Sequence, residues 1–422
     1  MLTTLSKLLT RRAAVAGEET AMTWPGTRVT VTWAELDRRV TAVAAALRRV
    51  AEPGQRAAIF AAPSPGYVVA FLGVLRAGLV AIPAGPDHRA RVLADAEPSI
   101  VLATADTVAA TRRFLSTLDT CGHRVLAVDA VPDAPGFAEV PRSPEDVAYL
   151  QYPGGVMVTH ANIVANARQA AQVLGRRVVV SRLPPSDPLG LLLGVAVPIV
   201  AGLPAVLGED LPADPAGSGT LVRADDPDLD RLRAAFAPGV LRTCYVVAEA
   251  TALVACGQPA GQRVAIVDRD GRRVPAGEAG EIWVSGPNVA RGYWRRPEES
   301  ARVFCALITG DDEPRWWLRT GDQGFLDPSG ELCVTGRGLV AGHRPEELEA
   351  TAEQAHPAIR PRAASAFTVP GGQAVVVLEL ADGAVPPRGE VERAVRHAVS
   401  ARHGLTLRRV VVLQSSLGDG LW

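Results

Sequence analysis

Tyr67-Val-Val-Ala-Phe-Leu-Gly-Val-Leu-Arg-Ala-Gly-Leu-Val-Ala-Ile-Pro83 decides the fold class. Tyr67, Ala70, Phe71, Val74 and Leu75 recur at helical spacing, and Gly78 closes the helix. The apolar run Leu79 to Ile82 then reads as a buried strand that ends at Pro83. Upstream, Ala57 to Ala61 reads as a buried strand of the same kind. Strand, helix and strand form a β-α-β unit, which implies parallel strands with helices packed on the sheet. Further upstream, Thr32-Trp33-Ala34-Glu35 has the pattern of a capping box, in which Thr and Glu reciprocally satisfy free N–H groups. The helix that follows places Leu36, Val40, Val43 and Leu47 on one face.

Downstream the pattern changes. From Gly208 to Asp230, Asp, Pro and Gly dominate, and the segment reads as a loop or a shortened connection. Glu281 to Ser285 alternates like a strand, and Asp327-Pro328-Ser329-Gly330 reads as a type I turn leading into a strand over Glu331 to Thr335. In the last part, Val375 to Leu380 and Val410 to Leu413 read as strands, with a helix over Glu390 to Arg402 between them. The expected architecture is α/β: a large N-terminal unit with parallel-sheet subdomains over residues 1–337, then a small α+β unit over 338–422.

Composition removes several classes of function. The formal net charge is −1, so no global field favours nucleic acid or an anionic membrane. The five cysteines, Cys121, Cys244, Cys256, Cys305 and Cys333, form no C-x-x-C pair and do not cluster with histidine. That argues against a zinc site and against a disulfide framework. Met1 to Thr10 lacks the long apolar region of a secretory signal. No run approaches the roughly 18 apolar residues of a membrane span, and Leu189 to Leu207 is broken by Pro198, Gly202 and Pro204. A cytoplasmic location is the default expectation. Lys7 is the only lysine, against a large excess of arginine, as in the products of a GC-rich genome.

Tyr152-Pro153-Gly154-Gly155-Val156-Met157-Val158-Thr159-His160 is the second informative stretch. With it stand Tyr245-Val-Val-Ala-Glu-Ala-Thr251, Gly280-Glu-Ile-Trp-Val-Ser-Gly-Pro287, Gly292-Tyr-Trp294, Arg319-Thr-Gly-Asp-Gln-Gly-Phe-Leu-Asp327 and Val334-Thr-Gly-Arg337. In this order the segments resemble the fatty acyl-AMP ligases, a branch of the adenylate-forming superfamily that activates fatty acids as acyl-AMP and feeds them to carrier proteins. The resemblance runs from about Thr30 to Leu413, interrupted by deletions. It implies a partial nucleotide site: Tyr245 stacked on adenine, Glu249 reaching a magnesium ion, Asp322 accepting from both ribose hydroxyls, and Arg337 nearby. Each has a plainer reading. Tyr245 in Cys-Tyr-Val-Val reads equally as a half-buried strand residue, Glu249 as a solvated acid, and Asp322 as a turn residue satisfying backbone N–H groups.

The departures concern phosphate chemistry. In the family, a Ser/Thr/Gly-rich loop ending in Pro-Lys-Gly precedes the Gly-Val-Met and wraps the triphosphate. Here only Pro153 and Gly154 stand between Tyr152 and Gly155. A triphosphate needs several converging N–H groups and usually a Lys, which two residues cannot supply. Arg is not a simple substitute for that Lys. Where the family has Leu-Pro-Leu-Tyr-His-Asp-Met-Gly-Leu, this chain reads Leu183-Pro-Pro-Ser-Asp-Pro-Leu-Gly-Leu191, with Asp187 at the His position. Val246 replaces the Gly after the adenine-stacking Tyr, where it would crowd the nucleotide. The hinge, usually Gly-Arg-x-Lys-Asp, runs from Arg337 into Gly338-Leu339-Val340-Ala341-Gly342-His343. The terminal Ser-Ser-Gly-Lys is replaced by Ser415-Ser416-Leu417-Gly418-Asp419.

Three electrostatic supports are thus missing together: the loop, the His and the terminal Lys. Losing one such donor typically costs about 10²–10³ in rate. The sequence therefore predicts a ligase-like protein with no catalytic residue or metal ligand to name, acting as a scaffold or in a non-standard acyl-handling reaction. An active ligase with an unusual phosphate site and a decaying gene are the alternatives; intact helices and strands speak against the last. AMP, ATP or an acyl-adenylate is the implied cofactor class, held by its adenosine end, with magnesium helping little. An acyl group or an acyl carrier protein is the implied partner, without nucleic acid. Among the remaining residues, His160 reads as a capping or surface histidine, and His343, His356, His397 and His403 show no metal spacing. Trp316-Trp317 reads as packing or an exposed rim, and Glu298-Glu299 and Glu346-Glu347 as solvated helix-start acids.

Overall fold

The computed structural model describes residues 3–118, 123–175, 177–208, 218–224, 226, 228–236, 239–311, 313–336, 343, 345–369, 373–381, 386–387 and 389–413. Among these residues the strands form four sheets. The β-α-β reading holds: Arg56–Ile59 lies parallel between Val80–Pro83 and Ile100–Ala103. The helix between the first two, Pro65–Arg76, buries nearly its whole surface, which accounts for its all-round apolar character. Gly73 lets it approach its neighbour Trp33–Arg48, because a Cβ there would lie 2.7 Å from Val43 Cγ1. Leu36, Val40, Val43 and Leu47 of that neighbour are all buried. Only half of the capping box forms. Thr32 Oγ1 accepts from Glu35 N at 3.2 Å, while the Glu35 carboxylate pairs with Arg39 one turn on.

This sheet continues through Val147–Gln151 to Val156–Thr159, the last pair being antiparallel. A second, eight-stranded sheet is largely parallel in its middle and runs from Gln258–Pro259 to Val29–Thr32. The reading of 208–230 as a loop is corrected there. Ser218–Arg223 is an interior strand, parallel to Val178–Ser181 on one side and Leu241–Val246 on the other. Gly219 permits a close pass, since a Cβ would sit 3.2 Å from Leu174 and 3.3 Å from Arg177. Flanking Asp, Pro and Gly masked the short β-prone run Thr220-Leu221-Val222.

An antiparallel sheet of Arg263–Val267, Gly280–Ser285, Leu318–Leu326 and Leu332–Gly336 follows. Its last hairpin turns at Asp327–Gly330, where Gly330 N donates to Asp327 O at 2.9 Å and Gly330 adopts φ +83°. The C-terminal part has its own sheet, Ile359–Val369, Gln373–Leu380 and Arg409–Leu413, with helices Pro345–Gln354 and Glu390–His403. Leu348, Val376, Leu378, Val395 and Val399 form its separate apolar core. This small α+β unit contacts the large one through Arg91 Nη1, which donates to His403 O at 2.9 Å, and through Arg302 and Glu347 at 3.7 Å. Among the described residues, no helix is long and apolar enough to cross a membrane.

Candidate functional site

The strands Val147–Gln151 and Val156–Thr159 are joined by a tight turn. Pro153 has no N–H, so the turn offers at most the Gly154 and Gly155 donors. Two of its carbonyls are already used: Gly155 O accepts from Trp294 N at 2.8 Å, and Gly154 O from the Arg296 guanidinium. Gly155 adopts φ +65°, and a Cβ there would lie 3.4 Å from Arg296 Nη2. Tyr152, mostly buried, donates to Asp95 Oδ2 at 2.5 Å. The helix His160–Leu174 then starts with a full capping box, Thr159 with Asn162. Asn162 Nδ2 also donates to Pro287 O and Val289 O, at 2.9 and 2.8 Å, fixing that segment against the helix start. His160 is corrected from surface to core: it is 2% exposed and its Nδ1 has no hydrogen-bond partner. Burial, then the Arg142 charge, lowers its pKa to about 4.

Tyr245 and Asp322 meet. The first is the penultimate residue of the strand Leu241–Val246 and the second lies in Leu318–Leu326. Both are buried, and the Tyr245 hydroxyl donates to Asp322 Oδ2 at 2.6 Å. Thr320 fixes the approach: its Oγ1 donates to Ile282 O at 2.7 Å and accepts from Asp322 N at 3.1 Å. Next to them, Arg319 clamps the Glu281 carboxylate at 2.7 and 3.2 Å and lies over the Trp283 ring.

Glu249 sits in the short turn Ala248–Ala250 and is buried, not solvated. The Tyr293 hydroxyl donates to its Oε1 at 2.9 Å. Burial pushes its pKa up, opposed by that hydrogen bond and reinforced by the Asp322 charge. A magnesium ion would need this carboxylate ionised and free. No group of three or more His, Cys, Asp or Glu that could hold a metal occurs among the described residues. The residues present do not fit a protein-built metal site.

Glu249 opens onto a cleft of about 270 Å³ at the junction of the two units. Pro153 and Gly154 of the shortened turn line it, with Tyr293, Thr320, Arg91, Arg296, Arg302 and Arg319 from the large unit. His343, Glu347, Arg402 and His403 line it from the other side. Tyr245 and Asp322 are not in this lining, although Asp322 N donates to Oγ1 of the lining residue Thr320. Arg337, the segment 338–342 and the terminal 415–422 lie outside the described residues. Asp187 has a structural occupation. It caps the helix Pro188–Leu191 by accepting from Leu189 N and Gly190 N, at 2.8 and 3.2 Å, and pairs with Arg223 at 2.7 Å. Trp317 is buried and Trp316 exposed, so the two tryptophans have opposite roles. Arg91, Arg296, Arg302 and Arg402 of the cleft lie in no motif that the sequence offered, whereas Tyr293 and Arg319 stand inside quoted ones.

The family described as AMP-binding enzyme matches residues 9–224 and 237–294. The chain is 32% identical to "Putative fatty-acid--CoA ligase fadD25" of Mycobacterium tuberculosis, over 97% of this chain and 93% of that protein. That alignment extends over 550 positions, more than the 422 residues here, so the relative carries internal segments this chain lacks. It is 29% identical to "Long-chain-fatty-acid--AMP ligase FadD32" of Mycolicibacterium smegmatis, over 90% of this chain and 85% of that one. Among solved structures, a fatty acid AMP ligase from Legionella pneumophila superposes with a TM-score of 0.70 at 22% identity, covering 99% of this chain and 93% of the other. The amide bond synthetase McbA from Marinactinospora thermotolerans does so equally, with a TM-score of 0.70 at 22% identity, over 99% and 97%. These two likenesses concern the fold.

Proposed function

The chain belongs to the AMP-binding enzyme family, in its fatty acyl-AMP ligase branch, and from that premise we propose that it binds an acyl-adenylate without making one from ATP. It would act in lipid biosynthesis as a scaffold or in a non-standard transfer of an already activated acyl group, with an acyl carrier protein as the partner. One observation supports this most directly. The turn at the phosphate end offers at most two N–H groups, Gly154 and Gly155, whose own carbonyls are engaged with Arg296 and Trp294. Building charge on an α-phosphate and a departing pyrophosphate requires preorganised positive donors, usually the largest catalytic term.

Tyr245 and Asp322 are proposed to hold the adenosine end, with Arg337 beside them and Glu249 at the phosphate end. Their mutual hydrogen bond supplies the rigidity that a ribose-reading carboxylate needs. The boundary near Arg337 is proposed as the hinge between the two units. A second reading, an active ligase with an arginine-built phosphate site, is favoured by the arginines around Gly154. Calorimetry with a non-hydrolysable acyl-adenylate mimic and with ATP separates the two. The mimic should bind, AMP should bind about as well as ATP, and magnesium should change neither; tight, magnesium-dependent ATP binding supports the second reading and defeats the first.

A further inference from the structure

The turn that carries Glu249 holds a strained backbone. Thr251 adopts φ +69° and ψ −58°, an outlier for a β-branched residue. Across it Ala252 N donates to Ala250 O at 2.8 Å, closing a three-residue γ-turn of the rare, strained kind. Two buried side chains hold it. Thr251 Oγ1 donates to Asn288 O at 2.7 Å, and Asn288 Nδ2 donates to Ala250 O at 3.1 Å and to Leu253 O at 3.3 Å. From the same segment, Ala290 N donates to Glu249 O at 2.8 Å. The far end of that segment binds the region of the shortened turn, where Gly292 O accepts from Met157 N and Gly155 O accepts from Trp294 N, both at 2.8 Å. Residues 286–294 thus tie Glu249 to the turn at Pro153 and Gly154. Apolar packing gives no account of the strain. The neighbours of Glu249 and Thr251 are Ala248, Ala250 and Ala252, whose methyl groups bury little surface. Burying a carboxyl and holding a β-branched residue at positive φ are both unfavourable. Such strain persists only where the surroundings over-determine it, and it collects where a side chain has to be aimed. The side chain aimed here is Glu249.

We propose that Asn288 and Thr251 are positioning residues for Glu249: their hydrogen bonds hold the γ-turn closed and so keep the Glu249 carboxyl bonded to Tyr293 at the wall of the cleft. The inference rests on the reading of Glu249 as a ligand-facing group, and extends it to two residues that do not line the cleft. Asn288 is fully buried, and its amide serves the turn. Its Nδ2 donates to two of the turn's carbonyls, while its Oδ1 has no hydrogen-bond partner among the described residues. Tyr293 belongs to the same segment as Asn288, so one stretch of chain fixes both the backbone and the side chain of Glu249. Opening the turn would return the carboxyl toward water, where its ionised form is favoured.

The test follows the Glu249 carboxyl itself, in the full chain labelled with ¹³C at its glutamate carboxyls. The Glu249 signal is the one that disappears in Glu249→Ala. In the native chain it should titrate above the ordinary carboxylate value of about 4.3. Thr251→Gly removes the hydroxyl and adopts the same φ without strain, and Asn288→Ala removes the amide. Both should move the titration back toward the ordinary value, while Thr251→Ser, which keeps the hydroxyl, should retain the native one. Asp322 and Glu299, which act on the charge of Glu249, and Tyr293, which is bonded to it, are unchanged in these variants. If Asn288→Ala fails to fold, the two Thr251 variants decide. A lowered unfolding midpoint with the Glu249 titration unmoved would make both residues purely structural and overturn the proposal, as would an equal shift in Thr251→Ser. Calorimetry with AMP tests the underlying reading. Glu249→Ala should weaken AMP about tenfold, as for a lost hydrogen bond to a charged group, and Thr251→Gly by a part of that. The Thr251→Gly effect should vanish in the Glu249→Ala background, because the two act as a unit. A shifted titration with AMP indifferent to Glu249→Ala upholds the clamp and defeats the ligand role of Glu249. An unmoved titration with AMP weakened by Glu249→Ala defeats the clamp alone.

Discussion

The Tyr245 hydroxyl donates to Asp322 Oδ2 at 2.6 Å, joining the end of one sheet's strand to the middle of another's in a buried setting. Asp322→Ala should lower stability by about 1–3 kcal/mol, the cost of leaving a buried hydroxyl without its partner. It should also weaken AMP by about 1.5–3 kcal/mol if the carboxylate reads the ribose. Urea unfolding and calorimetry measure the two effects separately. A stability loss with unchanged AMP affinity would make the pair purely structural.

Glu249 gives a pH dependence. Burial raises its pKa in the folded chain, so the folded state holds its proton more tightly than the unfolded one. Stability from this group is full below the ordinary carboxylate pKa and declines as pH rises through the raised value. Glu249→Gln keeps an oxygen for the Tyr293 hydroxyl and removes the titration. Urea midpoints compared from about pH 5 to about pH 8 should decline less in the variant, which should be the more stable of the two at the upper end. A parallel decline in both would contradict the assignment.

His160 acts in the opposite direction. Its pKa is lowered to about 4 by burial, so the unfolded chain takes up a proton that the folded chain refuses. Its contribution is therefore present above the ordinary histidine pKa of about 6.5 and is lost as pH falls toward about 4. His160→Gln should flatten the acid limb of the stability profile over this window. Identical acid limbs would show that other groups dominate.

Asp187 caps the helix Pro188–Leu191 and pairs with the half-buried Arg223. Asp187→Ala should cost about 0.5–2 kcal/mol, the range for a lost N-cap. Asp187→His should not create pyrophosphate release from ATP, because the phosphate turn remains two residues long. Appearance of that activity would show that the histidine position alone had silenced the site.

Much of the fold was legible because its signals are local. The helix Pro65–Arg76 and its flanking strands could be read from apolar spacing and from Gly78, which adopts φ +74°. Ser218–Arg223 was hidden because its pairing partners lie far away in sequence while its immediate neighbours are turn residues. At the site, Tyr245, Glu249 and Asp322 could be named from motifs, yet the hydrogen bond between Tyr245 and Asp322 spans 77 positions and no motif encodes it. For Glu249 the sequence leaves a magnesium-reaching acid and a solvated acid open, because a single carboxylate after a strand gives no sign of Tyr293 closing over it. The cleft arginines come from three helices, one helix N-cap and a strand spread from Arg91 to Arg402, so only folding brings them together.

Adenylation from ATP is proposed to be absent, and ATP–pyrophosphate exchange with medium- and long-chain fatty acids and magnesium measures that step itself. No exchange above a protein-free control is expected for any chain length. Robust exchange that disappears in Asp322→Ala would contradict it and establish that arginines have taken over the work of the missing loop.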